Sequence, residues 1–151
     1  MKAVIQRICR AAVTADGAPA GKCEREGLLL LVGVVCGDTD ADAKLLAGKI
    51  AKMRIFTDEA GKMNRSVLDI GGGALVVSNF TLAADISHGN RPSFSGAAAP
   101  EEANRLYEAF CEELRNAGVP VENGVFGADM RIEMTADGPV TILADSALWK
   151  A

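Results

Sequence analysis

Histidine is almost missing from this chain of 151 residues, and the one present, His88, cannot build a His-rich metal centre alone. A Ser-His-Asp triad would have to recruit that imidazole from a loop, one residue after Ser87, with no orienting partner evident. The motifs G-x-S-x-G, G-x-x-x-x-G-K-[ST] and H-E-x-x-H are absent, and no G-x-G-x-x-G follows a candidate strand. An enzyme built from this sequence is therefore expected to work without metal, cofactor or conventional triad. That narrows it to an intrinsically easy reaction, such as cleavage of an activated ester. Cysteine is sparse as well: Cys9, Cys23, Cys36 and Cys111 lie far apart with no C-x-x-C pair. Neither a disulfide framework nor a zinc site follows, and the thiols are expected to be reduced and structural. The longest apolar run, Leu28 to Val32 extended by Val34 and Val35, is too short to span a bilayer. Lys2, Arg7 and Arg10 interrupt the N-terminal stretch, so it does not read as a secretory signal, and a cytoplasmic location without membrane contact is expected.

What is present fits one domain over residues 1–151. Nearly half the residues are hydrophobic and about a quarter are charged, the balance of a soluble globular chain. The net charge of −4 argues against a protein that coats nucleic acid through its overall field. Any nucleic-acid substrate would be gripped over a small part only.

Alternation from Ala3 onward predicts a strand reaching Val13, with Asp16-Gly17 as a turn. Gly27 to Val35, apolar on both faces, predicts a covered central strand. A helix follows, capped at Thr39 or Asp40, with Leu45, Leu46, Ile50 and Met53 along one side. Arg54 to Phe56 reads as a short strand and Ala74 to Leu82 as a longer one, followed by a surface loop from Ser87 to Pro100. Pro100 opens a second helix whose buried face carries Leu106, Tyr107, Phe110, Cys111 and Leu114, and Gly118 ends it. Three strands are expected after it: Val119 to Glu122, Phe126 to Ala136 and Val140 to Asp145. Asn123-Gly124 and Asp137-Gly138 are the turns between them. The order is roughly ββαββαβββ, an α/β fold with two helices packed on largely antiparallel sheet.

Three segments carry candidate chemistry, and each has a plain structural reading beside a functional one. Ser78-Asn79-Phe80-Thr81-Leu82 is either a strand end whose hydroxyls satisfy backbone groups, or a set of N–H and O–H donors for a substrate oxyanion. Asp137-Gly138-Pro139-Val140-Thr141 is either a hairpin turn or a rigid tip whose main-chain carbonyls accept from an ammonium group. Gly89-Asn90-Arg91-Pro92-Ser93-Phe94 is a surface loop anchored by Phe94, or a means for Arg91 to reach a phosphate or ribose.

Together with MKAVIQRI at the start, LLLLVGV, KIAKMRIF, GKMN and FGADM, these segments resemble the D-aminoacyl-tRNA deacylase family over essentially the whole chain. That family's S-Q-F-T-L and N-x-G-P-V-T motifs correspond here to Ser78 to Leu82 and Ala136 to Thr141. Asn79 stands where the family usually has Gln, and Ala136 where it usually has Asn. The resemblance implies hydrolysis of the ester joining a D-amino acid to the tRNA 3′ end. It implies a homodimer, with a Gly138-Pro139 tip of cis geometry crossing into the other subunit's site, and no DNA partner. Ser78, Phe80 and Thr81 would be catalytic; Asn79, Arg91, Gly138, Pro139, Val140 and Thr141 would bind substrate. The tip would capture the α-ammonium and exclude L-amino acids by collision, while glycyl-tRNA would also enter. The terminal ribose 2′-hydroxyl would assist water attack, with Thr81 as an alternative nucleophile. Two rivals stay open from sequence: a relative that clears other mischarged tRNA, and a module that binds tRNA ends without cleaving them.

Overall fold

Two long strands organise the molecule in the computed structural model, which describes residues 1–149. β1 (Lys2–Ala15) and β8 (Met130–Asp145) run antiparallel along almost their full lengths, from Lys2 opposite Asp145 to Ala15 opposite Met130. The other edge of β1 is shared. Its first half pairs with β3 (Gly27–Gly33) and its second half with β2 (Ala18–Cys23), both antiparallel. β3 then pairs in parallel with β6 (Gly73–Ser78), and β6 in parallel with β7 (Val121–Asn123), so the sheet is mixed. A two-stranded ribbon, β4 (Phe56–Thr57) with β5 (Met63–Arg65), stands apart.

The helices are α1 (Asp40–Ala51) and α2 (Pro100–Asn116), close to the sequence expectation. They cover one face of the sheet, where Ile5, Leu28, Leu30 and Val76 meet Leu46, Ile50, Leu106, Phe110 and Leu114. On the opposite face a smaller cluster gathers Ile8, Ala11, Val13, Leu29, Leu75 and Val77. β3 and β6 are thus apolar on both faces because both faces are covered. At their start the backbones touch: a Cβ on Gly27 would lie 2.0 Å from the Gly73 carbonyl oxygen. On α1, Leu46 and Ile50 are buried with Ala43 and Ala47, but Leu45 sits on the flank and Met53 falls beyond the helix end.

Four expectations need correcting. β2 and β5 were not anticipated; Asp16 (φ 49°) and Gly17 (φ 83°) form the two-residue left-handed turn that folds β2 back onto β1. The strand expected from Ala74 to Leu82 stops at Ser78, and Phe80–Ala83 is a single 3-10 turn. The strand expected from Phe126 begins only at Met130. Asp137-Gly138 is not a hairpin turn: β8 continues through it, still paired with β1 on both sides. The register jumps there from Ile8 opposite Ala136 to Gln6 opposite Thr141, so Asp137 to Val140 bulge out against the single residue Arg7.

A buried polar knot ties the chain ends to α1. The Met1 ammonium donates to the Asp38 carboxylate and to Ser146 Oγ (2.7 Å), and Ser146 Oγ donates to Asp42 Oδ1 (2.7 Å). Asp42 Oδ2 accepts from both the backbone N–H and the hydroxyl of Thr39, capping the helix. Asp38 also accepts from the Val35 N–H at 2.7 Å, which fixes the turn leading out of β3. Among the described residues no helix is long and apolar enough to cross a membrane.

Candidate active site

The parallel strands β3 and β6 end side by side, and the chain beyond β6 is turned sharply there. The Asn79 N–H donates to the Val32 carbonyl (2.8 Å), the last tie to β3. Asn79 then serves as cap of the 3-10 turn: its side-chain oxygen accepts from the Thr81 N–H (3.2 Å) and from the Thr81 hydroxyl. A short amide does this well, because a cap must fold back over two residues. The consequence for chemistry is specific. Thr81 has its proton committed to Asn79, which leaves the oxygen of an exposed hydroxyl as an acceptor. The N–H of Phe80, first in the turn, has no acceptor within it, as expected at the start of a helical turn.

Phe80 is 59% exposed, large for an aromatic ring, and its edge meets Phe94 with centroids 5.1 Å apart and planes at 73°. Beside them opens a cavity of about 880 Å³. Ser78, Asn79, Phe80 and Thr81 line one side; Leu31, Val77, Phe126 and Met130 supply apolar wall; Ala99 and Pro100 at the start of α2 close the rest. A space of this size, mostly apolar with a few convergent polar groups, suits a small organic ligand.

Behind the wall lies a network that sequence reading missed. Tyr107 Oη donates to the Val76 carbonyl (2.8 Å) and accepts from Asn123 Nδ2 (3.1 Å), which also lies 2.8 Å from Cys111 Sγ. Arg115 donates to the Asn123 side-chain oxygen. Burial pushes the Tyr107 phenol well above its ordinary value and the Cys111 thiol up to about 11. Both groups are thereby biased toward their protonated, less nucleophilic forms. Their place in the helical stripe marked them as core, and nothing in the local sequence distinguished a wall residue from a core residue.

The second candidate segment lies elsewhere in the chain. Gly138 and Pro139, joined by a cis peptide bond, form the exposed tip of the β8 bulge. Arg7 anchors its base: Nε donates to the Asp137 carbonyl (3.3 Å) and pairs with the Asp137 carboxylate (3.0 Å). The same guanidinium donates through Nη1 to the Ile55 carbonyl at 2.7 Å. Val140 packs against the main core, whereas Thr141 is exposed opposite Gln6 and Ala136 is exposed opposite Ile8. Arg7 faces Leu28, four residues before Val32 on β3, and three strand spacings separate β8 from β6. At standard strand dimensions this puts the tip roughly 20 Å from Ser78 to Thr81 within one chain. The structure thus brings Ser78, Asn79, Phe80 and Thr81 together and leaves Gly138, Pro139, Val140 and Thr141 apart from them. Arg91 and His88 are exposed in the loop before α2 and do not line the cavity. Among the described residues no group of three His, Cys, Asp or Glu side chains is placed to hold a metal ion.

Comparison with known proteins places this arrangement. Residues 4–145 match the family model described as D-Tyr-tRNA(Tyr) deacylase. The chain is 61% identical over 145 residues to a D-aminoacyl-tRNA deacylase of Ruegeria pomeroyi, covering 96% of this chain and 99% of that one. It is 58% identical over 150 residues to one of Roseiflexus castenholzii, covering 99% and 95%. Among solved structures it is similar to a protein described as c-Myc DNA Unwinding Element Binding Protein, with a TM-score of 0.90, 38% identity and coverage of 96% and 98%. A probable eukaryotic D-amino acid tRNA deacylase superposes with a TM-score of 0.82 at 15% identity, covering 95% and 97%, a likeness of fold.

Proposed function

This chain belongs to the D-Tyr-tRNA(Tyr) deacylase family and hydrolyses the ester of D-aminoacyl-tRNA, and from that premise we propose how it selects the D hand. Two copies pair so that the Gly138-Pro139 tip of each enters the cavity of the other beside Ser78 to Thr81. The tip carbonyls accept from the α-ammonium of the aminoacyl group, and the Phe80 N–H donates to the ester carbonyl. With both ends held, a D side chain points out of the cavity and an L side chain runs into the tip backbone. Glycine, having no Cβ, also enters. Discrimination then needs no side-chain pocket, so many D-amino acids are accepted and one hand is refused.

The observation that carries this reading is that the two halves of a site are both exposed and roughly 20 Å apart in one chain. The cavity is lined by exposed Phe80 with the polar side chains of Ser78, Asn79, Thr81 and Asp129, and Gly138 and Pro139 of the backbone bulge do not line it within the same chain. Apolar surface around them supports pairing: Leu143 is 78% exposed on β8, opposite Val4 and close to the tip. Hydrolysis proceeds by water attack assisted by the terminal ribose 2′-hydroxyl. The Thr81 oxygen accepts a hydrogen bond from the water, consistent with its own proton being held by Asn79. Thr81 as nucleophile is disfavoured, since its proton is held by the Asn79 amide oxygen, which is too weak a base to take it.

Release of amino acid from D-tyrosyl-, L-tyrosyl- and glycyl-tRNA by the purified protein tests the reading. Rapid release from the first and third with little from the second is expected. Equal rates for the two tyrosyl hands would overturn it. Replacing the terminal 2′-hydroxyl by hydrogen should abolish turnover while leaving binding of the tRNA intact.

A further inference from the structure

The charges of this acidic chain are not evenly spread. Residues 44–65 hold six of the sixteen basic residues (Lys44, Lys49, Lys52, Arg54, Lys62 and Arg65) against two acidic ones, Asp58 and Glu59. This stretch is therefore +4, and the rest of the chain, with ten basic and eighteen acidic residues, is −8. The first five of these cations are exposed and form no ion pair among the described residues, while Lys22, Arg105 and Arg115 elsewhere are paired with Glu24, Asp40 and Glu112. Lys44, Lys49 and Lys52 stand on the outer side of α1, along an open groove of about 580 Å³. Lys49 Nζ is held 5.2 Å over the Trp149 ring. The Arg54 guanidinium donates to Asn64 at 3.2 Å, joining the end of this helical segment to the β4–β5 ribbon that carries Lys62.

This surface adjoins the tip. Ile55, beside Arg54, and Asp137, beside Gly138, are bonded by the same Arg7 guanidinium. We propose that the 44–65 surface binds the phosphate backbone of the tRNA acceptor arm, and that it belongs to the subunit supplying the tip, not to the subunit whose cavity holds the ester. Because this surface adjoins the tip on its own chain, an acceptor arm gripped there would lie beside an ester held at that tip, and a local charge of +4 offers phosphates a site on a chain of net −4. Which subunit is meant rests on the cross-subunit reading above; the contact with tRNA does not.

Binding of uncharged full-length tRNA, measured against salt, tests the surface independently of hydrolysis. The variant Lys44→Gln/Lys52→Gln should bind about fivefold or more weakly, with the slope of log K against log salt reduced by between one and two. The same loss of charge in Lys22→Gln/Arg25→Gln should do much less, and Lys44→Arg/Lys52→Arg should bind as the native chain does. Cleavage of a D-tyrosyl ester of free adenosine should be unchanged in the Gln variant, while KM for D-tyrosyl-tRNA rises at constant kcat. Unaltered tRNA affinity and salt slope would overturn the proposal, as would equal losses on the tRNA and adenosine esters. Failure of the native chain to cleave either ester would count against the functional reading and leave the binding measurement to decide the surface.

Discussion

Gly138→Ala separates the tip from the rest of the fold. Gly138 has φ +131°, outside the range of L residues, and a Cβ built there lies 2.6 Å from the Val140 nitrogen and 2.9 Å from Val140 Cγ2. Those atoms are not free to retreat, because Val140 packs against the main core. The tip must then change its backbone. Strain of this kind costs about 1–3 kcal/mol, or roughly 2–12 °C in Tm for a chain of this size. If the tip captures the ammonium, a displacement near 1 Å lowers kcat/KM for D-tyrosyl-tRNA by roughly 10²-fold, and the ratio of D to L cleavage falls with it. Gly17→Ala is the control. Gly17 also has a left-handed φ, +83°, but nothing lies within 4 Å of its Cβ position and it sits in the β1–β2 turn. It should lose comparable stability and keep its activity and selectivity. The reasoning is refuted if Gly138→Ala unfolds earlier yet retains both, for the tip would then be a structural bulge and nothing more.

Asn79→Ala removes the acceptor for the Thr81 N–H and hydroxyl; stability should fall by about 1 kcal/mol, while kcat falls on the order of tenfold as the hydroxyl loses its fixed direction. Ser146→Ala deletes the hydroxyl between the Met1 ammonium and Asp42; urea unfolding should show a loss of about 1–3 kcal/mol, since both buried charges lose a partner, with kcat unchanged. Cys9 and Cys36 are exposed and Cys23 and Cys111 buried, so a thiol reagent at pH 8 should label two sites quickly. Cys111, held protonated by a pKa pushed up to about 11 by burial, should label only on unfolding.

Local pattern made some elements legible and left others hidden. The helical stripe of Leu106, Tyr107, Phe110, Cys111 and Leu114, with Pro100 at its start, placed α2 because periodicity and capping agree there. β2 was hidden: Ala18-Pro19-Ala20-Gly21-Lys22-Cys23 has little strand propensity and forms because the turn before it and the open edge of β1 leave it no better place. β8 misled for the opposite reason. Asp137-Gly138-Pro139 has strong turn chemistry, but β1 offers partners on both sides of it, so long-range pairing converts a turn into a bulge. The candidate site was legible as motifs. Its geometry was not, because the placing of Phe126, Met130 and Tyr107 around Phe80 depends on contacts distant in sequence.

The central claim, that each site takes its cavity from one chain and its tip from another, is tested by mixing two inactive variants. Thr81→Ala spoils the cavity and Gly138→Ala spoils the tip. Unfolded together and refolded in equal amounts, half the dimers are mixed, and each of those contains one site with both parts intact and one with neither. Deacylation of D-tyrosyl-tRNA should recover to about a quarter of the native rate per subunit. If the mixture stays as inactive as its components, although mixed dimers are present, cavity and tip do not meet across subunits and the account fails.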